Sequence, residues 1–321
     1  MCVNFASKVN ALAVSGKPFF FIIDFDKKKP EVFTMDQLPD DIYFSVPNYA
    51  MLPLQTRAIG DFCFRTFPPT FKNYSKAFNK VLKEINIGNS YLLNLTFKSK
   101  IETNLSLKDI FLSSKAKYKL WFRDRFVVFS PETFVQIKEG NISSFPMKGT
   151  IDANISGAKN VLLNDEKETA EHHTIVDLIR NDLAIVAEDV FVEEFKHIEK
   201  LFTNKGDLLQ MNSKITGRLP GNYKESLGDI LLELLPAGSI SGAPKQKTVQ
   251  IIKDVENYNR GYYTGVFGYF DGKNLASAVM IRFIEKEDDE LYFKSGGGIT
   301  SMSDVKKEYD ELIRKIYVPI Y

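Results

Sequence analysis

Gly265-Val266-Phe267-Gly268-Tyr269-Phe270 is followed by the polar turn Asp271-Gly272-Lys273-Asn274, the apolar run Ser277–Glu285, the charged turn Lys286–Asp289 and a third run, Glu290–Ser295. Apolar runs joined by turns this short pair antiparallel, because a parallel neighbour needs a crossover of a dozen residues or more. The same signature recurs upstream. Thr133–Phe145 predicts a hairpin turning at Glu139-Gly140-Asn141, and Tyr91–Lys98, Lys117–Phe129 and Leu208–Thr216 predict further strands. Phe19–Asp24 reads as a buried strand closed by the solvated turn Lys27-Lys28-Lys29-Pro30. Between them stand helical patterns. Phe71, Tyr74, Phe78, Val81, Leu82 and Ile85 recur at three and four residues and stop before Gly88, and Asp165–Leu183, Tyr223–Leu235, Lys245–Glu256 and Ser303–Tyr317 behave alike. Antiparallel strands mixed with several helices make the fold class α+β. No composition shift, linker or repeat divides the chain, so a single domain over residues 1–321 is expected, least defined over about 1–75.

Composition narrows the function. The 321 residues carry 42 basic and 41 acidic side chains, a net charge of +1, so no bulk field favours nucleic acid or an anionic membrane. Cys2 and Cys63 form no C-x-x-C pair, no 18-residue apolar run is present, and the first residues lack a signal-peptide core. A cytoplasmic protein with no nucleic-acid or membrane partner is expected.

Several short stretches carry chemistry. Glu168 and Glu171 are three apart on one expected helix, as are Glu308 and Glu311 on another, so each pair shares a helix face. Two such faces meeting would suit a hard divalent ion such as magnesium, although glutamates at this spacing more often line a solvated face. Ser295-Gly296-Gly297-Gly298-Ile299-Thr300 reads as a glycine-rich turn ahead of a helix, able to offer backbone N–H groups to an anion, or as a plain turn. Pro236–Lys245 is a small-residue loop in which a ligand could approach the backbone or which could be a linker, with Pro244 at a helix start. Arg282 interrupts the apolar run Ala278–Phe283, where a charge must be paired, with a ligand carboxylate or in a structural salt bridge. Lys148, in Pro146-Met147-Lys148-Gly149-Thr150, follows the expected strand Asn141–Phe145 and stands at a tight turn that could present it to a pocket. His172, His173 and His197 fit neither a triad nor a metal spacing; His172, next to Glu171, is either near a site or a packing residue.

Taken in order, Ser130–Phe134, Pro146–Thr150, Val176–Leu183, Leu235–Lys245, Arg260–Tyr269, Ile281-Arg282 and Gly296–Glu311 resemble the chorismate-utilising enzymes, the family of anthranilate synthase and aminodeoxychorismate synthase large subunits and of isochorismate and salicylate synthases. The resemblance implies a sandwich like that of anthranilate synthase component I, with two antiparallel sheets flanked by helices, a chorismate site and Mg2+. Lys148 points to the aminodeoxychorismate synthase component I pattern, since anthranilate synthases carry alanine there, and Glu132 lies sixteen residues before it, as that subfamily's acid does. The resemblance also implies roles: Lys148 as nucleophile forming a covalent adduct; Glu132 as general acid; Glu171 and Glu311 as magnesium ligands, with Glu168 and Glu308 as ligands or water-holders; Arg282 and Tyr263 on the enolpyruvyl carboxylate; and Gly149, Thr150, Ser241, Gly296, Gly297 and Gly298 lining the rest. The lysine amine must be neutral to attack, so burial and cationic neighbours, magnesium among them, are expected to depress its pKa. Ile151 stands where relatives carry arginine, and Gln210 where many carry histidine. Neither cysteine sits in a nucleophile elbow, so ammonia is expected from a separate glutamine amidotransferase subunit. Nothing like a lyase follows Tyr321, so the expected product is 4-amino-4-deoxychorismate, on the way to 4-aminobenzoate and folate. The alternatives are an anthranilate synthase, a water-adding relative with its lysine base elsewhere, and a non-catalytic chorismate-binding partner subunit.

Overall fold

The computed structural model describes residues 2–53, 62–201 and 207–320. The Phe19–Ile23 run forms strand β1, with all five side chains buried. Successive side chains point to opposite faces. Phe20 and Ile22 join Phe44, Tyr118, Phe122 and Phe267 in a core between two sheets. Phe19, Phe21 and Ile23 join Phe5 and Val9 of helix α1 (Cys2–Val14), together with Leu227 and Leu231, on the outer face. A strand covered on both faces has no reason to alternate polar and apolar residues, which explains the unbroken run.

The sheet holding β1 has nine strands among the described residues. It runs β11 (Met147–Asp152), β13 (Leu208–Arg218), β10 (Asn141–Ser144), β9 (Thr133–Lys138), β16 (Leu275–Val279), β15 (Val266–Phe270), β1 and β2 (Glu31–Thr34), with β12 (Glu188–Leu201) also on β13. The second, also of nine, runs β14 (Gly242–Ala243), β6 (Leu92–Thr103), β18 (Glu290–Ile299), β17 (Phe283–Glu287), β8 (Phe126–Ser130), β7 (Tyr118–Phe122), β3 (Ile42–Val46) and β4 (Tyr49–Met51), with β5 (Phe64–Phe67) also on β6. Every pairing is antiparallel. Helices α2 (Phe71–Asn86), α3 (Leu107–Ser113), α4 (Ala158–Leu163), α5 (Glu166–Ala184), α6 (Leu227–Glu233), α7 (Gly238–Ser241), α8 (Lys245–Val255) and α9 (Val305–Arg314) are the other described α-helices. This is the α+β sandwich of two antiparallel sheets that the sequence led us to expect. No described helix is long and apolar enough to cross a membrane.

Three local expectations are corrected. Ser277–Glu285 is not one strand: β16 lies in the first sheet and β17 in the second, and the chain changes sheets through Met280–Arg282, with Arg282 at φ 53°. Apolar residues continue across the switch, so periodicity could not reveal it. Ser295–Ile299 is not a turn but the end of β18, with Gly296, Gly297 and Gly298 paired to Thr96, Leu95 and Asn94. The glycines serve close packing: a Cβ on Gly296 would stand 2.5 Å from the Leu95 carbonyl oxygen. Pro146–Thr150 is likewise no turn, because Met147 onward is strand β11, bulged between Lys148 and Thr150 where Gly149 takes φ +65°.

Candidate active site

Two strand connections pass from one sheet to the other side by side. One is β8 to β9 through Pro131-Glu132, the other β16 to β17 through Met280–Arg282. They are stitched together, Val279 N–H donating to the Glu132 carbonyl at 3.2 Å and Phe129 N–H to the Arg282 carbonyl at 3.1 Å. A cavity of about 590 Å³ opens beside them, and both side chains line it. Lys148, Glu168, Glu171, Glu308, Glu311, Tyr263, Gly149, Thr150, Gly296, Gly297 and Gly298 line the same cavity. Ser241 does not. It is fully buried, its hydroxyl donating to the Ala237 carbonyl at 2.9 Å, and it holds the short helix α7 together while its neighbours Ser239, Ile240 and Gly242 face the cavity.

The bulge at Gly149 aims Lys148 toward α5, where its amine donates to Glu171 Oε2 at 2.8 Å. A Cβ on Gly149 would lie 2.8 Å from Leu162 Cδ1 of α4 and 3.2 Å from Glu168 Oε2, and its positive φ would strain any other side chain, so glycine suits the bulge. Asp165 caps α5 by accepting from Glu168 N–H. On α9, Glu308 accepts from Ser303 Oγ at 2.9 Å, and Glu311 pairs with Lys315 at 2.6 Å. The carboxylates come up against β18 at Gly297, where a Cβ would stand in ordinary contact, 3.5 Å from Glu308 Oε2 and 3.7 Å from Glu311 Oε1. On Gly298 it would stand 3.4 Å from Lys148 Nζ.

Four carboxylates from two helices thus face one space, an all-oxygen donor set that suits a hard divalent ion. Among the described residues no three acidic, histidine or cysteine side chains stand close enough to chelate an ion by themselves. In this arrangement Lys148 and Lys315 balance Glu171 and Glu311. The donor set therefore fits magnesium with substrate oxygens and water completing its shell, but not a closed protein cage.

Charge states follow from position. Burial alone pushes the Lys148 amine down, but Glu171 in contact and Glu311 and Glu168 nearby outweigh it and hold the pKa above the ordinary lysine value. The protein's own neighbours that dominate are anions, so without a bound cation they do not supply the expected depression. Glu132 behaves oppositely: burial raises its pKa, and the hydrogen bond from Ser239 Oγ and the charges of Arg282, Lys148 and Lys315 only partly offset this. It is poised to keep a proton. Burial also raises the Tyr263 hydroxyl, keeping it a neutral donor. Arg282 lies over the Tyr317 ring at 5.4 Å, and among the described residues its Nε has no hydrogen-bond partner and no carboxylate pairs with it. A guanidinium so placed on a cavity wall is available to an anionic ligand. His172 is a packing residue, with no exposure and Nε2 2.6 Å from Ser213 Oγ; burial foremost pushes its pKa down to about 4. Gln210 lines the cavity opposite Thr150.

Ser239, Asn94, Lys294, Arg314, Lys315 and Tyr317 also line the cavity and were not singled out from the sequence. Two had a signal. Lys315 lies four residues after Glu311, an ion-pair spacing on a helix. Lys294 interrupts an apolar strand just as Arg282 does.

A sequence profile described as chorismate binding enzyme matches residues 61–320. An uncharacterized PabA-like protein of Haemophilus influenzae is 49% identical over 318 residues, covering 99% of this chain and 97% of that protein. Anthranilate synthase component 1 of Aquifex aeolicus is 38% identical over 195 residues, covering 58% of this chain and 38% of that one. Among solved structures, the menaquinone-specific isochorismate synthase of Escherichia coli superposes with a TM-score of 0.76 at 16% identity, over 98% of this chain and 80% of that one, a likeness of fold.

Proposed function

The chain belongs to the family of chorismate binding enzymes, and we propose that it aminates chorismate at C4 with ammonia, as an aminodeoxychorismate synthase component I. The observation that carries this reading is Lys148: a primary amine on the wall of a cavity that also holds a proton-retaining carboxyl, Glu132, and four glutamates. An alanine at that position would leave no nucleophile there.

Chorismate brings two carboxylates and a poor leaving group, the C4 hydroxyl. Magnesium, held by Glu168, Glu171, Glu308 and Glu311, would neutralise one carboxylate and withdraw electrons from the ring. Arg282 and the Tyr263 hydroxyl bind the other carboxylate. Glu132 gives its proton to the C4 oxygen, which departs as water. Lys148, having given its extra proton to solvent in the cavity, forms a C–N bond to the ring as the C4–O bond breaks. Ammonia then bonds to C4, the ring–lysine bond breaks with its electron pair returning to the amine, and the new C4 ammonium gives a proton back to the Glu132 carboxylate. Glu171 sets the protonation of this amine: its contact holds Lys148 as the ammonium, and relief of that contact frees the nucleophile. The ammonia is supplied in the cell by a separate glutamine amidotransferase subunit.

The test is to incubate the protein with chorismate, magnesium and ammonium chloride, with and without an aminodeoxychorismate lyase. We expect 4-aminobenzoate only when the lyase is added. Fluorescent anthranilate forming without it would replace this reading by anthranilate synthase. Turnover on glutamine alone would overturn the separate amidotransferase.

A further inference from the structure

Lys294 is a charged side chain that the proposed chemistry does not use. It stands on β18, two residues before Gly296, with its side chain 1% exposed, and it belongs to the cavity wall. Its amine pairs with Glu285 on β17, lies 5.3 Å from the Tyr258 ring and 5.6 Å from the Phe283 ring, and donates to the Arg260 carbonyl at 3.3 Å. Burying such a pair is a poor way to gain stability, since apolar residues of the same size would serve as well or better.

The contacts of the amine suggest why it is there. The Arg260 carbonyl also accepts from Tyr263 N–H at 3.1 Å, so Lys294 anchors the turn that presents Tyr263. That turn is tied at two further places. The Arg260 guanidinium bonds Glu256, the Ile240 carbonyl at 3.0 Å and the Asn94 carbonyl at 2.7 Å, joining the turn to two other segments of the wall. Thr264 N–H donates to the Met280 carbonyl at 2.8 Å, two residues before Arg282. Phe283, which comes directly after Arg282, meets the Tyr263 ring edge-on at 5.7 Å and lies opposite Lys294 in the sheet. Lys294 therefore touches, through one carbonyl and one ring, the supports of both side chains assigned to the second substrate carboxylate.

We propose that Lys294 is a positioning residue, which fixes Tyr263 and Arg282 in the geometry that binds a carboxylate, and that Glu285 is present to neutralise it. This rests on the proposed function and deepens it. The test is the double variant Lys294→Met/Glu285→Gln, which removes the amine without stranding a buried carboxylate, with thermal unfolding to verify folding. Chorismate binding is measured at equilibrium, and steady-state amination with ammonium. We expect the dissociation constant and KM for chorismate to rise about tenfold with kcat within about twofold. Lys294→Gln/Glu285→Gln, which keeps a donor for the Arg260 carbonyl, should recover most of the affinity. An unchanged KM in the Met variant, or a loss in kcat as large as any rise in KM, overturns the proposal. A wild-type protein that binds no chorismate refutes the proposed function and this proposal together, whereas wild-type binding with unaltered variants refutes the proposal alone.

Discussion

Replacing Lys148 by alanine separates its structural from its chemical contribution. The Lys148 and Glu171 side chains are 23% and 6% exposed and 2.8 Å apart. Removing one partner of a buried ion pair costs about 3–5 kcal/mol, chiefly because the other charge is left uncompensated. Here the amine borders a water-accessible cavity, so about 2–3 kcal/mol is expected, lowering Tm by about 4–12 °C at the 2–4 °C per kcal/mol typical of a large domain. Glu171→Gln alone should cost less, since it strands an amine that can reach water. The double variant should recover most of the loss, with a coupling energy of at least about 1 kcal/mol in a double-mutant cycle measured by urea unfolding. Turnover should obey a different rule. Both variants lacking Lys148 should lose at least about a hundredfold in kcat, because the stabilised double variant has no more of a nucleophile than the single one. Denaturing mass spectrometry of a quenched wild-type reaction should show the adduct on the peptide carrying Lys148, and none in either variant. Magnesium adds a third readout. With the competing ammonium gone, the ion should raise the Tm of Lys148→Ala by more than that of the wild type. Wild-type turnover by Lys148→Ala refutes the nucleophile, and a coupling energy near zero refutes the ion pair as a structural element.

Glu132→Gln should lose about a hundredfold to ten-thousandfold in kcat, the usual worth of a general acid, and wild-type activity should fall as pH rises through the raised pKa of Glu132. A carboxyl with a raised folded pKa stabilises below its unfolded value and loses that contribution as pH rises through the folded one, so Glu132→Gln should gain Tm at pH 8 and nothing at pH 4; equal shifts at both pH values would contradict the buried acid. Arg282→Met should raise the KM for chorismate by about 10- to 100-fold, the worth of a lost hydrogen bond to a charged group, and an unaltered KM would remove Arg282 from the carboxylate site. Gly268→Ala is a test of the fold rather than the site: its Cβ would stand 2.6 Å from the Phe21 ring and 2.7 Å from Ser277 Cβ. Overpacking of this kind costs about 1–3 kcal/mol, and a Tm at or above wild type would mean that the sheets repack freely.

Local pattern carried far in this chain. The hairpin turns at Glu139-Gly140 and Asp271–Asn274 are where the strands reverse, α5 and α8 match the helical stretches Asp165–Leu183 and Lys245–Glu256 to within a residue at their ends, and α9 lies inside Ser303–Tyr317. Helix α1 is not announced in the sequence although Phe5, Ala6, Val9 and Ala13 keep a helical spacing, because no capping residue precedes it and its exposed face mixes Val3, Ala11 and Val14 with Asn4, Ser7 and Lys8. The three-residue spacing of the glutamates puts each pair on one face, and α5 and α9 turn those faces to one cavity. Pattern did not carry any feature that depends on two chain segments at once. The glycines of β18 look like a turn until Leu95 and the α9 carboxylates are set against them.

The sequence by itself determined the α+β class, the antiparallel hairpins and the residue types able to act, because turn chemistry, side-chain period and functional groups are local properties. Only the tertiary structure decided where those groups meet. Met280–Arg282 is not marked as a change of sheet because apolar residues continue on either side of it, and Pro131-Glu132 reads as a break between two strands with nothing to say that they lie in different sheets. Ser241 is turned away into α7 while Ser239, two residues earlier, reaches Glu132. The charge on Lys148 is likewise a tertiary outcome: a lysine in a tight motif is poised to lose or keep its proton according to whether cations or carboxylates surround it, and Glu171, 23 residues away in the chain, decides for the proton.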